Sequence, residues 1–119
     1  MKRIYVCSPL RGNPEDNIRN AQRYCEYVVR ESGFVPIAPH IYFTQFLDDN
    51  NPEEREFGLK AGLSLLSDCD ELWYFGETIS QGMYTEIRHA IRKGIPVKYI
   101  PIHHYDNYLK ERNKHNEKQ

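Results

Sequence analysis

The chain has 119 residues, 39% of them hydrophobic and 28% charged, with a formal net charge of −1. This length suits one folding domain with a real core, small for an enzyme, and the mixed charge supplies no basic face for a nucleic-acid polymer. No signal peptide and no apolar run of bilayer length are read, so a cytoplasmic protein without a membrane partner is expected. Cys7, Cys25 and Cys69 are odd in number and lack metal-ligand spacing, and they read as reduced, mostly buried thiols.

The elements follow in chain order. Arg3 to Cys7 is an apolar run closed by Ser8-Pro9-Leu10-Arg11-Gly12, as expected of a central parallel strand and its exit loop. Asn13-Pro14-Glu15-Asp16 carries a cap, a first-turn proline and acids at the positive end of a helix. Ile18, Ala21, Cys25, Val28 and Val29 are expected on its buried face, and Gly33 at its end. Phe34 to Ala38 reads as a second strand, completing a βαβ unit with a right-handed crossover. Pro39 to Leu47 is aromatic without a clean period, and a loop with a short helical piece over the strand ends is expected. A helix from Pro52 to about Ser67, a strand from Asp70 to Phe75 and a helix from Ser80 to Lys93 come next, the last with Met83, Ile87, Ala90 and Ile91 expected on its core face. The last strand, Ile95 to Pro101, holds Pro96 near its start and is expected at a sheet edge. One more helix is expected from Tyr105, with a frayed tail over about 111–119. The whole of 1–119 reads as a single doubly wound α/β domain, a three-layer sandwich on a four- to five-stranded parallel sheet.

In such sheets ligands bind outside the carboxyl ends of the strands. The loops there are Cys7–Gly12, Pro39–Asn51 and Gly76–Gly82, and all three are unusual in composition. The third opens a helix through Ser80-Gln81-Gly82-Met83-Tyr84-Thr85-Glu86. A hydroxyl and a glycine at a helix N-terminus make an anion site, because the first N–H groups have no helical partners. Glu86 lies two turns in, and helical side chains lean toward the N-terminus, so its carboxylate reaches back over the same mouth. Phosphate at one end of a ligand and chemistry at the other is the reading of that pairing.

The Ile4-Tyr5-Val6-Cys7-Ser8-Pro9-Leu10-Arg11-Gly12 loop and the Asp70-to-Glu86 stretch resemble the nucleoside 2-deoxyribosyltransferase superfamily. The match is closest to its nucleotide branch, the 2′-deoxynucleoside 5′-monophosphate N-glycosidases, and the chain is also similar to small bacterial and phage proteins of that fold with no settled activity. The overlap spans nearly all of residues 2 to 101. The deoxyribosyltransferases proper carry an aspartate where this chain has Ser80, and serine there is the nucleotide-branch feature. The resemblance implies that Glu86 is a nucleophile attacking C1′ of a deoxyribose, oriented by Tyr5. It implies that Ser8, Arg11, Ser80 and Gly82 hold the 5′-phosphate. Gly12, in the same loop as Arg11, joins the substrate-binding set, and so does His40, read as a general base or a base-edge contact. It implies no metal and no organic cofactor, a small-molecule nucleotide as partner, and a homodimer or higher homo-oligomer. There is one departure: the family's leaving-group aspartate falls on Gly62 in the ungapped register, and neither Asp68 nor Asp70 is a clean replacement. Binding is therefore better supported than hydrolysis.

The expected function is cleavage or transfer at the N-glycosidic bond of a nucleoside or deoxynucleoside monophosphate. The alternative is a non-catalytic protein that senses or sequesters a nucleotide or an ADP-ribose-type signal. Plain structural roles stand beside each functional one. Tyr5 reads equally as a core aromatic, Ser80 as a simple N-cap, Arg11 as a surface charge, and His40 as loop packing. Tyr42, Phe43 and Phe46 read as a base-stacking set, a core cover or a contact between copies. Trp73 reads as core, and His103-His104 has no partner at metal spacing.

Overall fold

A computed structural model of the protein describes residues 1–101 and 110–111. The expected helix from Tyr105 and the tail lie outside the described residues except at Lys110 and Glu111, which are helical, and His103-His104 lies outside them entirely. Over the described residues 1–101, eight elements run in order: β1 (Arg3–Cys7), α1 (Pro14–Ser32), β2 (Val35–Ile37), α2 (Pro39–Phe43), α3 (Pro52–Ser67), β3 (Glu71–Phe75), α4 (Gln81–Arg92) and β4 (Val97–Ile100). The strands form one parallel sheet in the order β2-β1-β3-β4. The α/β reading therefore holds, with β4 at an edge as Pro96 suggested. Register places Tyr5 beside Ile37 on one side and Leu72 on the other, and Cys7 beside Tyr74.

Strand alternation divides the sheet into two cores. Ile4, Val6, Trp73, Phe75 and Ile100 pack with Tyr24, Tyr27 and Val28 of α1 on one face. Tyr5, Cys7 and Leu72 pack with Leu66 of α3 and with Met83 and Ala90 of α4 on the other. One helix on one face and two on the other is the layering that right-handed crossovers impose on this strand order. The chain leaves β1 toward one edge and β3 toward the other, so the switch point lies between their carboxyl ends.

The helix boundaries follow their caps. Asn13 accepts from the Asp16 N–H ahead of Pro14, Asn51 accepts from the Glu53 and Glu54 N–H groups ahead of Pro52, and Ser80 accepts from the Met83 N–H. Gly33 closes α1 at φ 72°, a left-handed conformation costly for any side chain.

The structure corrects two expected helix faces. In α1 the buried residues are Ala21, Tyr24, Tyr27 and Val28, while Val29 is exposed. The tyrosines carry that face through their rings: Tyr24 stacks on Phe75 with centroids 4.4 Å apart. In α4 Met83 and Ala90 are buried, whereas Ile91, expected among them, stands 64% exposed. Turning the face away from Ile91 brings Glu86 round toward β1. Among the described residues, no helix is long and apolar enough to cross a membrane.

Candidate active site at the switch point

Tyr5 and Cys7 are two residues apart on β1 and therefore share a face, the one that α4 covers. Both are almost wholly enclosed. The Tyr5 hydroxyl donates to Glu86 Oε2, and the Cys7 thiol lies 3.4 Å from Glu86 Oε1. Each carboxylate oxygen thus has one donor, both from β1, one of the two inner strands. Burial pushes the Glu86 carboxyl up to about 7, against the opposing pull of Tyr5 and Cys7. Burial, reinforced by the Glu86 charge, holds the Tyr5 hydroxyl well above its ordinary range and raises the Cys7 thiol as well. Both therefore stay protonated at neutral pH and serve as donors.

Gly62 of α3 closes the third side. A Cβ there would stand 3.3 Å from the Tyr5 hydroxyl, so this helix position faces the Tyr5–Glu86 pair and carries no side chain. The two nearby aspartates are elsewhere. Asp70 accepts from the Arg3 N–H at the opposite end of β1, and Asp68 is the exposed C-cap of α3.

The remaining candidates fall into smaller groups. Ser8 is buried, with its hydroxyl 3.4 Å from Nε2 of His40. Burial lowers His40 to about 4, so its imidazole is neutral. Ser80 caps α4 through the Met83 N–H at 3.3 Å, and the N–H groups of Gln81 and Gly82 in the first turn have no intrahelical acceptor. Gly82 has open space where a Cβ would be. Gly12 turns the exit of β1 at φ 103°, which reserves the position for glycine. Arg11 stands apart from these groups: its Nε pairs with Asp49 at 3.1 Å, and it lines an open cleft with Asn50, Arg55 and Glu56.

Tyr42, Phe43, Phe46 and Phe57 pack edge to face on one another where α2 meets α3. None belongs to either core, and Tyr42, Phe46 and Phe57 are exposed, which removes the core-cover reading. Trp73 is core, as expected. Cys7 is the site residue that reading the sequence missed. A cysteine in an apolar run looks like a small hydrophobe, and its signal is the period of two from Tyr5. Among the described residues, no three His, Cys, Asp or Glu side chains gather as metal ligands do.

A family model described as a domain of unknown function (DUF7768) matches residues 2–100. No curated protein matches. Among solved structures, the chain is similar to a 2-deoxyribosyltransferase from the psychrotolerant bacterium Bacillus psychrosaccharolyticus, described as a biocatalyst for the synthesis of antiviral and antitumoral nucleosides. The TM-score is 0.66 at 21% identity, over 83% of this chain and 72% of that one. At that identity the likeness is one of fold.

Proposed function

This chain belongs to the family described as a domain of unknown function (DUF7768), and we propose that it cleaves or transfers at the N-glycosidic bond of a nucleoside or deoxynucleoside 5′-monophosphate. The observation that carries this reading is the Glu86 carboxylate, held by Tyr5 and Cys7 of the central strand β1. A carboxylate that ionises near neutrality is poised as a nucleophile. A Glu86 oxygen forms a bond to C1′ while the C1′–N bond breaks, and that electron pair leaves with the base. Water or a second base then takes the sugar and the carboxylate is restored. With Gly62 in place of an acid, the departing base draws its proton from solvent.

The phosphate end falls to Arg11, Ser8, Ser80 and the first-turn N–H groups of α4. The Arg11–Asp49 pair is solvent-exposed, with side chains 56% and 39% accessible. Such pairs contribute little, so phosphate can take Arg11 from Asp49 at small cost. Gly12 and Gly82 let a ligand approach the backbone, and neutral His40 orients Ser8. The likeness in fold to a 2-deoxyribosyltransferase supports glycosyl chemistry over other uses of this sheet. The exposed Tyr42 and Phe46 suit contact between copies of the chain in a homo-oligomer.

The test is a thermal-shift panel of nucleoside monophosphates, deoxynucleoside monophosphates, nucleosides and ADP-ribose, with base release followed by chromatography on every stabilising ligand. A stabilising monophosphate that loses its base, and ceases to lose it in Glu86→Gln, is the expected result. The second reading, a protein that binds such a nucleotide or an ADP-ribose-type signal without turning it over, draws on Gly62, which faces the Tyr5 hydroxyl with no acid to offer. A ligand recovered whole after long incubation selects it.

A further inference from the structure

Cys7 is fully buried, and its thiol has two oxygens within reach. Sγ lies 3.4 Å from Glu86 Oε1 and 3.8 Å from the Met83 carbonyl one turn earlier in α4. A thiol has one hydrogen and donates it to one acceptor at a time. The Met83 carbonyl keeps a second lone pair beyond its helical bond, so it accepts whenever the carboxylate does not. The Tyr5 hydroxyl, committed to Oε2 on the other side, has no such alternative among the described residues.

We propose that Cys7 is a positioning residue that swivels: it donates to Glu86 Oε1 while the carboxylate is charged, and to the Met83 carbonyl once that oxygen carries a proton or a carbon. The swivel itself concerns only Glu86 and its neighbours. Its use in turnover rests on the reading of Glu86 as the nucleophile.

The surroundings favour a movable donor. The titratable groups packed about Glu86 among the described residues are Tyr5 and Cys7 from β1, with Cys69 beyond Tyr5, while α3 brings only Gly62. No cation is among them. A buried carboxylate without a cation depends on hydrogen bonds for its charge. Among the described residues, Oε1 has no donor besides the thiol. A thiol is also a weak donor. It orients the oxygen without binding it as tightly as a hydroxyl would, which leaves its lone pair free to react. The Cys7 thiol is itself raised by burial, so it does not lose its proton over the range in which Glu86 titrates.

Two measurements test this without substrate. The first follows Glu86 by carbon NMR of carboxyl-labelled glutamate, assigned by the resonance missing from Glu86→Gln. Cys7→Ala and Cys7→Val remove the donor, the second with bulk retained. The expected result is a midpoint raised by about half a pH unit or more in both, and returned toward the wild-type value in Cys7→Ser, which keeps a donor. Midpoints unchanged in both non-donating variants overturn the proposal. The second uses the unaltered chain: the infrared S–H stretch of Cys7 changes frequency as Glu86 titrates, whereas a band that is constant across that range overturns it. Since neither readout involves turnover, a panel that finds no released base removes the nucleophile reading and leaves the swivel standing. Released base with a constant S–H band does the reverse.

Discussion

Replacing Glu86 with glutamine should stabilise the protein above neutral pH. The folded carboxyl titrates at about 7 against an ordinary value of 4.5, chiefly because it is buried. Between those two values the folded chain holds a proton that the unfolded chain has released. Stability therefore falls as pH rises through that window, and the full loss is present above about 7. At about 1.4 kcal/mol per pH unit, the displacement amounts to about 3 kcal/mol, a large share of what holds a domain of this size together. Glutamine is neutral and isosteric; its carbonyl accepts from Tyr5 and its amide faces Cys7, much as a protonated Glu86 would. Urea unfolding of both proteins from pH 4.5 to 8 gives the comparison directly. The two curves should run at a constant offset at the acid end and diverge by about 3 kcal/mol in favour of Glu86→Gln by pH 8. Taking the difference cancels other titrating groups that do not touch Glu86. Curves that stay parallel across the whole range would refute the idea that this carboxylate is held in a dry site.

Three further outcomes are expected. His40 is held neutral to about 4 from an ordinary 6.5, so the unfolded chain binds the extra proton between those values and stability falls as pH drops through them; in a Glu86→Gln background, where the opposing slope is gone, His40→Asn should abolish a loss of about 3 kcal/mol in urea titrations. Gly58→Ala and Gly62→Ala make a matched pair in α3: a Cβ meets nothing at Gly58 and should raise stability by about 0.5–1 kcal/mol. At Gly62 the Tyr5 hydroxyl stands 3.3 Å from the new carbon, which should cancel that gain or reverse it in thermal melts. Asp49→Asn releases Arg11 from its exposed partner and should tighten binding of a stabilising monophosphate by up to about five-fold in titration calorimetry, whereas a weakened affinity would place Arg11 outside the phosphate site.

The order of strands and helices was legible because each apolar run is bracketed by residues with one physical reading: Ser8-Pro9 and Gly12 after β1, Asn13-Pro14 and Asn51-Pro52 at helix starts, Gly33 and Gly94 at helix ends. Tyr5 and Glu86 were legible from the first loop and the Ser80-to-Glu86 spacing. Their meeting was not, since it depends on a contact across 81 positions. Tyr24 and Tyr27 were missed because a tyrosine scores as half polar, although its ring serves a core as well as a phenylalanine does. Arg11 reads as a phosphate ligand from its place in the loop, but its pairing with Asp49 depends on where two flexible surface side chains come to rest, which no local pattern encodes. Gly62 was visible as a missing acid, whereas its closeness to the Tyr5 hydroxyl required the packing of α3 on β1.

The division of labour between β1 and the loops bears on how such a protein can diverge. Tyr5 and Cys7 stand on a strand with neighbours on both sides and helices over both faces, so nearly any exchange there disturbs the core along with the chemistry. Arg11, Gly12, Asp49 and Gly82 stand in exit loops or a first helical turn, where side chains bear little packing load. Descendants of this chain are thus free to sample new ligands one loop at a time while inheriting the carboxylate and its two donors intact. A library confined to those loops should retain folded members at far higher frequency than one that includes positions 5 and 7.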